Sequence, residues 1–218
     1  GVIIAAPIYS RNTDCIDPDS STNVYIRNCT LSGGDDQIAI KSGQDKAGRL
    51  FGKPSINITV DNIRVPHGDG ISIGSEMSGG IYNVVVKNIK FNDVLHPLRI
   101  KTGYGRGGTV SNVLFENVEL AMLGQVSGTA ITVDEYDGNI LPNASHAKDG
   151  WPNVKNVIFR NIHGGALTAG IFNCIPELPC TNITMENVSI TSLPGHGFVT
   201  CNNTIHSTAI NVKPKSCF

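Results

Sequence analysis

Asp14, Asp35 and Asp36 are the residues of this 218-residue chain best suited to chemistry. Asp14 closes the run Arg11-Asn12-Thr13-Asp14, and Asp35-Asp36 follow Gly33-Gly34 directly. Carboxylates forced together repel, so one keeps its proton at a pH where its neighbour has lost it. A general acid and a general base in one site need that asymmetry. Adjacent residues on a regular strand point to opposite faces. Asp35 and Asp36 can share a face only where the backbone is irregular, and Gly33-Gly34 would permit this. The same residues also suit turns or a calcium site. Farther on, Arg99-Ile100-Lys101 sets two cations at i and i+2, on one face of a strand, with Ile100 on the other. Three acids beside an Arg and a Lys make a site for an anionic sugar. The cations would hold its carboxylate and the acids would cleave its glycosidic bond.

Such a site needs a scaffold that brings distant stretches of chain together, and a repeat supplies one. The pattern Asn, Val/Ile, any residue, apolar, any residue, Asn, then Val/Ile/Cys recurs at residues 23–29, 57–63, 83–89, 112–118, 156–162 and 182–188. Apolar side chains alternate with Tyr, Thr, Lys, Glu or Arg, as in a strand. A second short strand follows each: residues 37–41, 70–74, 98–101 and 130–133. Units of this length cannot bury their own apolar face, so they stack into a solenoid with a continuous core. The flanking Asn residues suit bends, where Asn tolerates left-handed backbone geometry. The expected fold is all-β, a right-handed parallel β-helix forming a single domain over residues 1–218. A propeller blade needs four antiparallel strands, and Leu is too scarce for a leucine-rich repeat. Residues one coil apart stack, so Asp14 should neighbour Asp35-Asp36, with Arg99 and Lys101 farther along the same face. The wider interval before the fifth unit predicts an inserted loop around residues 141–151, on one rim.

Composition agrees. Ile and Val total 43 against 11 Leu, with 24 Gly and 21 Asn. β-Branched residues broken by Gly and Asn mean many short strands and turns, which excludes a helix bundle or coiled coil. A formal net charge of −1 argues against a nucleic-acid partner bound through a basic face. No apolar run approaches the ~20 residues of a membrane-spanning helix. The six Cys lack zinc-site spacing. Cys174 and Cys180 bracket a Pro-stiffened loop that a local disulfide could close, and Cys201 and Cys217 could staple the C-terminal end. Cys15 and Cys29 are expected to be free and buried. Disulfides point to an oxidising, extracellular setting. Asn-x-Ser/Thr sequons stand at Asn28, Asn57, Asn143, Asn182, Asn187 and Asn202, and one to three are expected to carry N-glycans. The chain opens on Gly1-Val2-Ile3-Ile4, which reads as mid-strand, so N-terminal coils are expected to be missing.

Four motifs together resemble the polygalacturonases, glycoside hydrolase family 28: Asn12-Thr13-Asp14, Gly34-Asp35-Asp36, Gly68-Asp69-Gly70 continuing through Ile71-Ser72-Ile73-Gly74-Ser75, and Arg99-Ile100-Lys101. The runs Gly74–Gly80 and Lys101–Gly108 are similar to the exo-acting branch. The resemblance implies a secreted, cell-wall enzyme that cleaves α-1,4-galacturonosyl bonds of pectic polysaccharide with inversion and without a cofactor or metal. It implies Asp35 as general acid, Asp14 and Asp36 activating water, and Arg99, Lys101 and Asn12 binding substrate. One motif departs: the family carries Gly-His-Gly where this chain has Gly-Asp-Gly. Asp69 thus adds a fourth carboxylate, which would raise the acid's pKa or repel a polyanion. His67, two positions earlier, is the nearest replacement. This change motivates the alternative of a catalytically weak β-helix glycoprotein with a structural, wall-binding or self-assembling role, joined through its solenoid ends. Tyr104, Arg106 and Tyr136 are candidates to line the cleft. His96, His146, His163, His196 and His206 show no metal-like spacing and read as ordinary loop or surface histidines.

Overall fold

The computed structural model describes residues 1–121, 128–137, 148–192 and 197–218. The sequon at Asn143, His146, His196 and most of the expected loop 141–151 lie outside the described residues.

The chain winds as a right-handed parallel β-helix. Its longer strands are β2 (Thr22–Ser32), β4 (Ser55–Gly68), β6 (Ile81–Val94), β8 (Thr109–Leu120), β10 (Asn153–Gly165) and β12 (Cys180–Thr191). They pair in that order, in parallel, between β1 (Ile3–Ala5) at one end and β14 (Thr204–Ile205) and β15 (Thr208–Lys213) at the other. Shorter strands build a second sheet: β3 (Asp36–Ile40), β5 (Gly70–Gly74), β7 (Leu98–Lys101), β9 (Thr129–Asp134), β11 (Thr168–Asn173) and β13 (Val199–Asn202). An α-helix, α1 (Asp45–Phe51), leaves the coil between β3 and β4.

The large sheet follows from the repeat. Along β4, Ile58 and Val60 point inward by simple alternation, which would next turn Asn62 inward. Asn62 instead adopts a left-handed conformation, φ +56°, so Ile63 takes the inward place. Every Asn of the repeat does the same, with φ between +52° and +59° from Asn23 to Asn211. Asn tolerates this geometry better than a bulkier residue. Their side chains then stack into two exposed ladders in which an amide donates to the Asn one coil back, as from Asn57 to Asn23 (3.0 Å) and Asn161 to Asn117 (3.1 Å), except that Asn88 donates to Asp61 (2.8 Å).

Inside, register puts like on like. Ile26, Val60, Val86, Phe115, Phe159 and Met185 occupy one column. Phe115 and Phe159 stack with centroids 5.0 Å apart, and Phe172 and Phe218 continue the aromatic run. In the small sheet, Ile40, Ile73, Ile100, Val133 and Phe172 form a parallel column. Each such fully buried side chain is worth about 1.5–3 kcal/mol over its exposed state.

The disulfides Cys174–Cys180 and Cys201–Cys217 are both present. Cys29 is free and buried. Cys15 is free but only half-buried, because its coil meets β3 through an isolated bridge at Ile16 rather than a full strand.

Candidate active site

The small sheet and the turns leading into it carry the candidate site residues. Cys15 N–H donates to the Asp36 carbonyl (3.1 Å), which sets Asp14 one coil before Asp36. Oxygens of Asp14, Asp35 and Asp36 all lie within 4.8 Å of one another. Two coils beyond Asp36, Lys101 reaches back to place Nζ 2.8 Å from Asp36 Oδ2, and Arg99 approaches Oδ1 at 3.7 Å. The juxtaposition expected from the repeat is therefore what the fold produces.

The local irregularity has a different source from the one expected. Neither Gly33 nor Gly34 adopts a left-handed conformation. They are needed for close approach: a Cβ on Gly33 would meet the Thr13 carbonyl at 2.7 Å, and one on Gly34 the Ser10 carbonyl at 2.2 Å. The irregularity is a bulge at Gln37, where pairing with β5 skips from Asp36 to Ile38. The buried Gln37 amide bridges two coils, donating to the Asp35 carbonyl (2.6 Å) and accepting from Gly70 N–H (2.8 Å). It packs where a Cβ on Gly68 would stand, at 1.9 Å. Gly68 and Gly70 flank Asp69 for this reason and a second one: a Cβ on Gly70 would strike the His96 carbonyl at 2.2 Å.

The four carboxylates differ in surroundings. Asp36 is 1% exposed and fully engaged, with Ser72 Oγ–H donating to Oδ1 (2.6 Å) and Lys101 to Oδ2. Asp35 accepts the Asp36 N–H at Oδ1 (2.9 Å). Asp14 keeps its side chain about one-fifth exposed. Burial, then Asp17 and Asp36, hold its carboxyl above the usual range against the pull of Lys41 at 3.4 Å. Burial and Asp36 push Asp69 up as well, with Arg99 opposing. Asp69 thus stands in the field of Asp36, Arg99, Asp35 and Lys101, while His67 lies on β4 of the large sheet, opposite Asp93, with Nδ1 buried and unpartnered among the described residues. Asn12 is exposed in a left-handed turn ahead of Asp14.

Three residues absent from the expected site belong beside it. Lys41 ion-pairs with Asp14 and Asp17. Ser72 anchors Asp36. His96 is half-buried, and burial together with Arg99 holds its imidazole down to about 4, so it is neutral at pH 7. His96 N–H donates to the Asp69 carbonyl (2.8 Å), just as Asp69 N–H donates to the Asp35 carbonyl (3.1 Å). Register carried the signal: Ser72 pairs with Arg99, and Asp69 and His96 each stand three places earlier. Arg106, expected near the cleft, is instead buried and paired with Asp45. Tyr104 and Tyr136 pack edge to face, 5.9 Å apart. The row of Lys101 continues through Asp134, Asn173 and Asn202, beside a cavity of about 470 Å³ lined by Tyr136, Asn173 and Asn202.

Asp14, Asp35 and Asp36 are close enough to share one divalent cation, which would have to displace Lys101 from Asp36. Glu135, Cys174 and Cys180 also converge, but the disulfide removes both thiolates as ligands.

The protein is thus a parallel β-helix with crowded acids beside an Arg/Lys pair. The chain belongs to glycosyl hydrolases family 28, whose profile matches residues 1–217. It is 35% identical over 193 residues to a probable polygalacturonase of Vitis vinifera, covering 87% of this chain and 38% of that protein. It is 34% identical over 230 residues to a probable polygalacturonase of Arabidopsis thaliana, covering 98% and 46%. Among solved structures, the polygalacturonase of Erwinia carotovora superposes with a TM-score of 0.73 at 27% identity, covering 93% of this chain and 48% of that one. A hyperthermoactive exopolygalacturonase of Thermotoga maritima gives 0.68 at 28% identity, covering 92% and 44%. The chain therefore spans less than half the length of these relatives.

Proposed function

We propose that the protein hydrolyses α-1,4-galacturonosyl bonds of pectic polysaccharide by inverting general acid/base catalysis, acting from chain ends. The observation that carries this reading is the convergence of Asp14, Asp35 and Asp36 on Arg99 and Lys101. Asp35 protonates the leaving oxygen, and Asp14 with Asp36 activates water. Asp36, buried and tied to two cations, orients the water that Asp14, the more open of the two, deprotonates. Arg99 and Lys101 exchange part of their hold on Asp36 for the substrate carboxylate. Inverting pairs usually stand ~6.5–9.5 Å apart with water between them. The closer packing here requires water to enter at the cleft edge of Asp14.

The test is reducing-sugar release from polygalacturonate by the full-length protein, with Asp35→Asn as control and NMR of the first product anomer. Release that Asp35→Asn leaves unchanged would overturn the assignment, and a retained anomer would overturn inversion.

The second reading is a scaffold with weakened chemistry that binds wall polysaccharide. Asp69 favours it, as a fourth carboxylate facing a polyanion, and so does the prior engagement of both cations by Asp36. Oligogalacturonate bound without turnover would decide for it. Secretion to the cell wall is supported by the two disulfides. N-glycans remain proposed at the exposed sequons, and self-assembly through the solenoid ends.

A further inference from the structure

Both cations of the site are already engaged, and four carboxylates surround them. A uronic acid arriving there needs a donor that carries no negative charge and is not committed elsewhere. His96 has that character. Its ring lies in the field of Arg99 and Lys101 from β7 and its approach, Asp36 from an earlier coil and Asp137 from a later one. Its backbone is fixed by the bond to Asp69 and by the close packing of Gly70 on its carbonyl. Nδ1 is buried with no hydrogen-bond partner among the described residues, whereas Nε2 is not among the buried unpartnered atoms. A buried lone pair without a partner costs less than a buried N–H without one. The proton of the neutral ring is therefore assigned to Nε2, the edge that a ligand can reach.

We propose that His96 is a substrate-contacting residue, its Nε2–H donating to an oxygen of the uronic acid whose carboxylate Arg99 and Lys101 hold. The imidazole absent from the Gly-Asp-Gly motif is thereby supplied one coil farther on. This inference rests on the proposed galacturonan reading, deepens it at the same site, and identifies a donor that the sequence motifs do not mark.

The experiment uses the full-length protein in the Asp35→Asn background, titrated calorimetrically with a galacturonate trimer. His96→Ala and His96→Gln are compared there, and also in the otherwise intact enzyme. Loss of one donor to a charged or hydroxyl oxygen weakens binding about tenfold. His96→Ala should raise Kd, and KM in the intact enzyme, by about that factor. His96→Gln, which keeps an N–H and guards against a folding defect, should fall between Ala and His. In ¹⁵N-edited NMR the Nε2 resonance should shift on adding the trimer. Trimer binding with Ala equal to His, or a stationary Nε2 resonance, overturns the role of His96 and leaves the hydrolase reading standing. A parent protein that neither binds nor cleaves galacturonan overturns both.

Discussion

The two sheets of this β-helix are made from the same coils but obey different rules. In the large sheet each coil largely repeats the last: Asn over Asn at both bends, apolar side chain over apolar side chain inside, and neighbouring strands paired across nearly their full length. In the small sheet the strands have four to six residues, β3 and β5 are buried throughout, and unlike side chains meet across coils, with Ser72, Arg99 and Lys101 all reaching Asp36. A bulge at Gln37 breaks the register there. Repetition gives stability because each coil satisfies the next. The candidate site sits where repetition fails, because unlike groups must then stack and pair across coils. The large sheet is thus the support, and the small sheet spends that stability on holding charges out of water.

That division predicts which variants unfold the protein and which only silence it. Asp35→Asn should lower turnover of polygalacturonate by about 10²–10⁴-fold, the usual worth of a general acid. It should leave the melting temperature within about 2 °C, since Asp35 is only partly buried. Kinetics and calorimetry on one preparation read both. A melting temperature that drops with activity would mean that site and support are not separable.

Phe159→Ala is the converse. The ring is fully buried between Phe115 and Phe172, so its removal leaves a cavity with no easy collapse. The cost should be about 3–5 kcal/mol, a fall of about 10 °C in a protein of this size. Activity per folded molecule should persist below the new transition.

Much of this was legible in the residues. The Asn spacing announced both bends of each coil, and Gln37–Lys41, Gly70–Gly74 and Leu98–Lys101 were readable as the second strand. Stacking by coil count brought Asp14 to Asp35-Asp36. What stayed hidden depends on contacts that span coils. The skip at Gln37 is set by its amide reaching Gly70, and nothing in a run of alternating residues marks that reach. The pairing of Lys101 with Asp36 crosses two coils and depends on side-chain length. His96 looked like a loop residue until β5 and β7 were placed side by side.

A smaller effect tests whether buried charge is tolerated outside the site. Glu135, next to Asp134 at the end of β9, is fully buried beneath the Cys174–Cys180 loop. Oε2 accepts Ile175 N–H (2.8 Å), and Oε1 has no partner among the described residues. Burial pushes its carboxyl up to about 8, from an ordinary 4.5. Between those values the unfolded chain sheds a proton that the folded chain keeps. Stability is therefore complete below about 4.5 and falls as pH rises toward about 8. Glu135→Gln keeps the acceptor and removes the charge. It should raise stability at pH 8 by on the order of a few kcal/mol and leave it unchanged at pH 4. Parallel pH–stability curves for parent and variant would show the acid to be ionised, and already accommodated, in the fold.

The ladders are where the repeat itself can be tested. Asn117 has φ +56°, donates to Asn88 and accepts from Asn161. Two contributions are superimposed there: a backbone that disfavours other residues by about 1–2 kcal/mol, and exposed amide bonds worth about 0.5 kcal/mol each at the low end of the usual range. Asn117→Gly keeps the first and loses the second, so it should cost about 1 kcal/mol. Asn117→Ala loses both and should cost about 2–3 kcal/mol, read as shifts in the urea midpoint. If Gly and Ala cost the same, the amide bonds hold the bend and the left-handed turn is incidental. If Gly costs nothing, the ladder is only a by-product of the turn, and any residue able to adopt that φ would serve in the support.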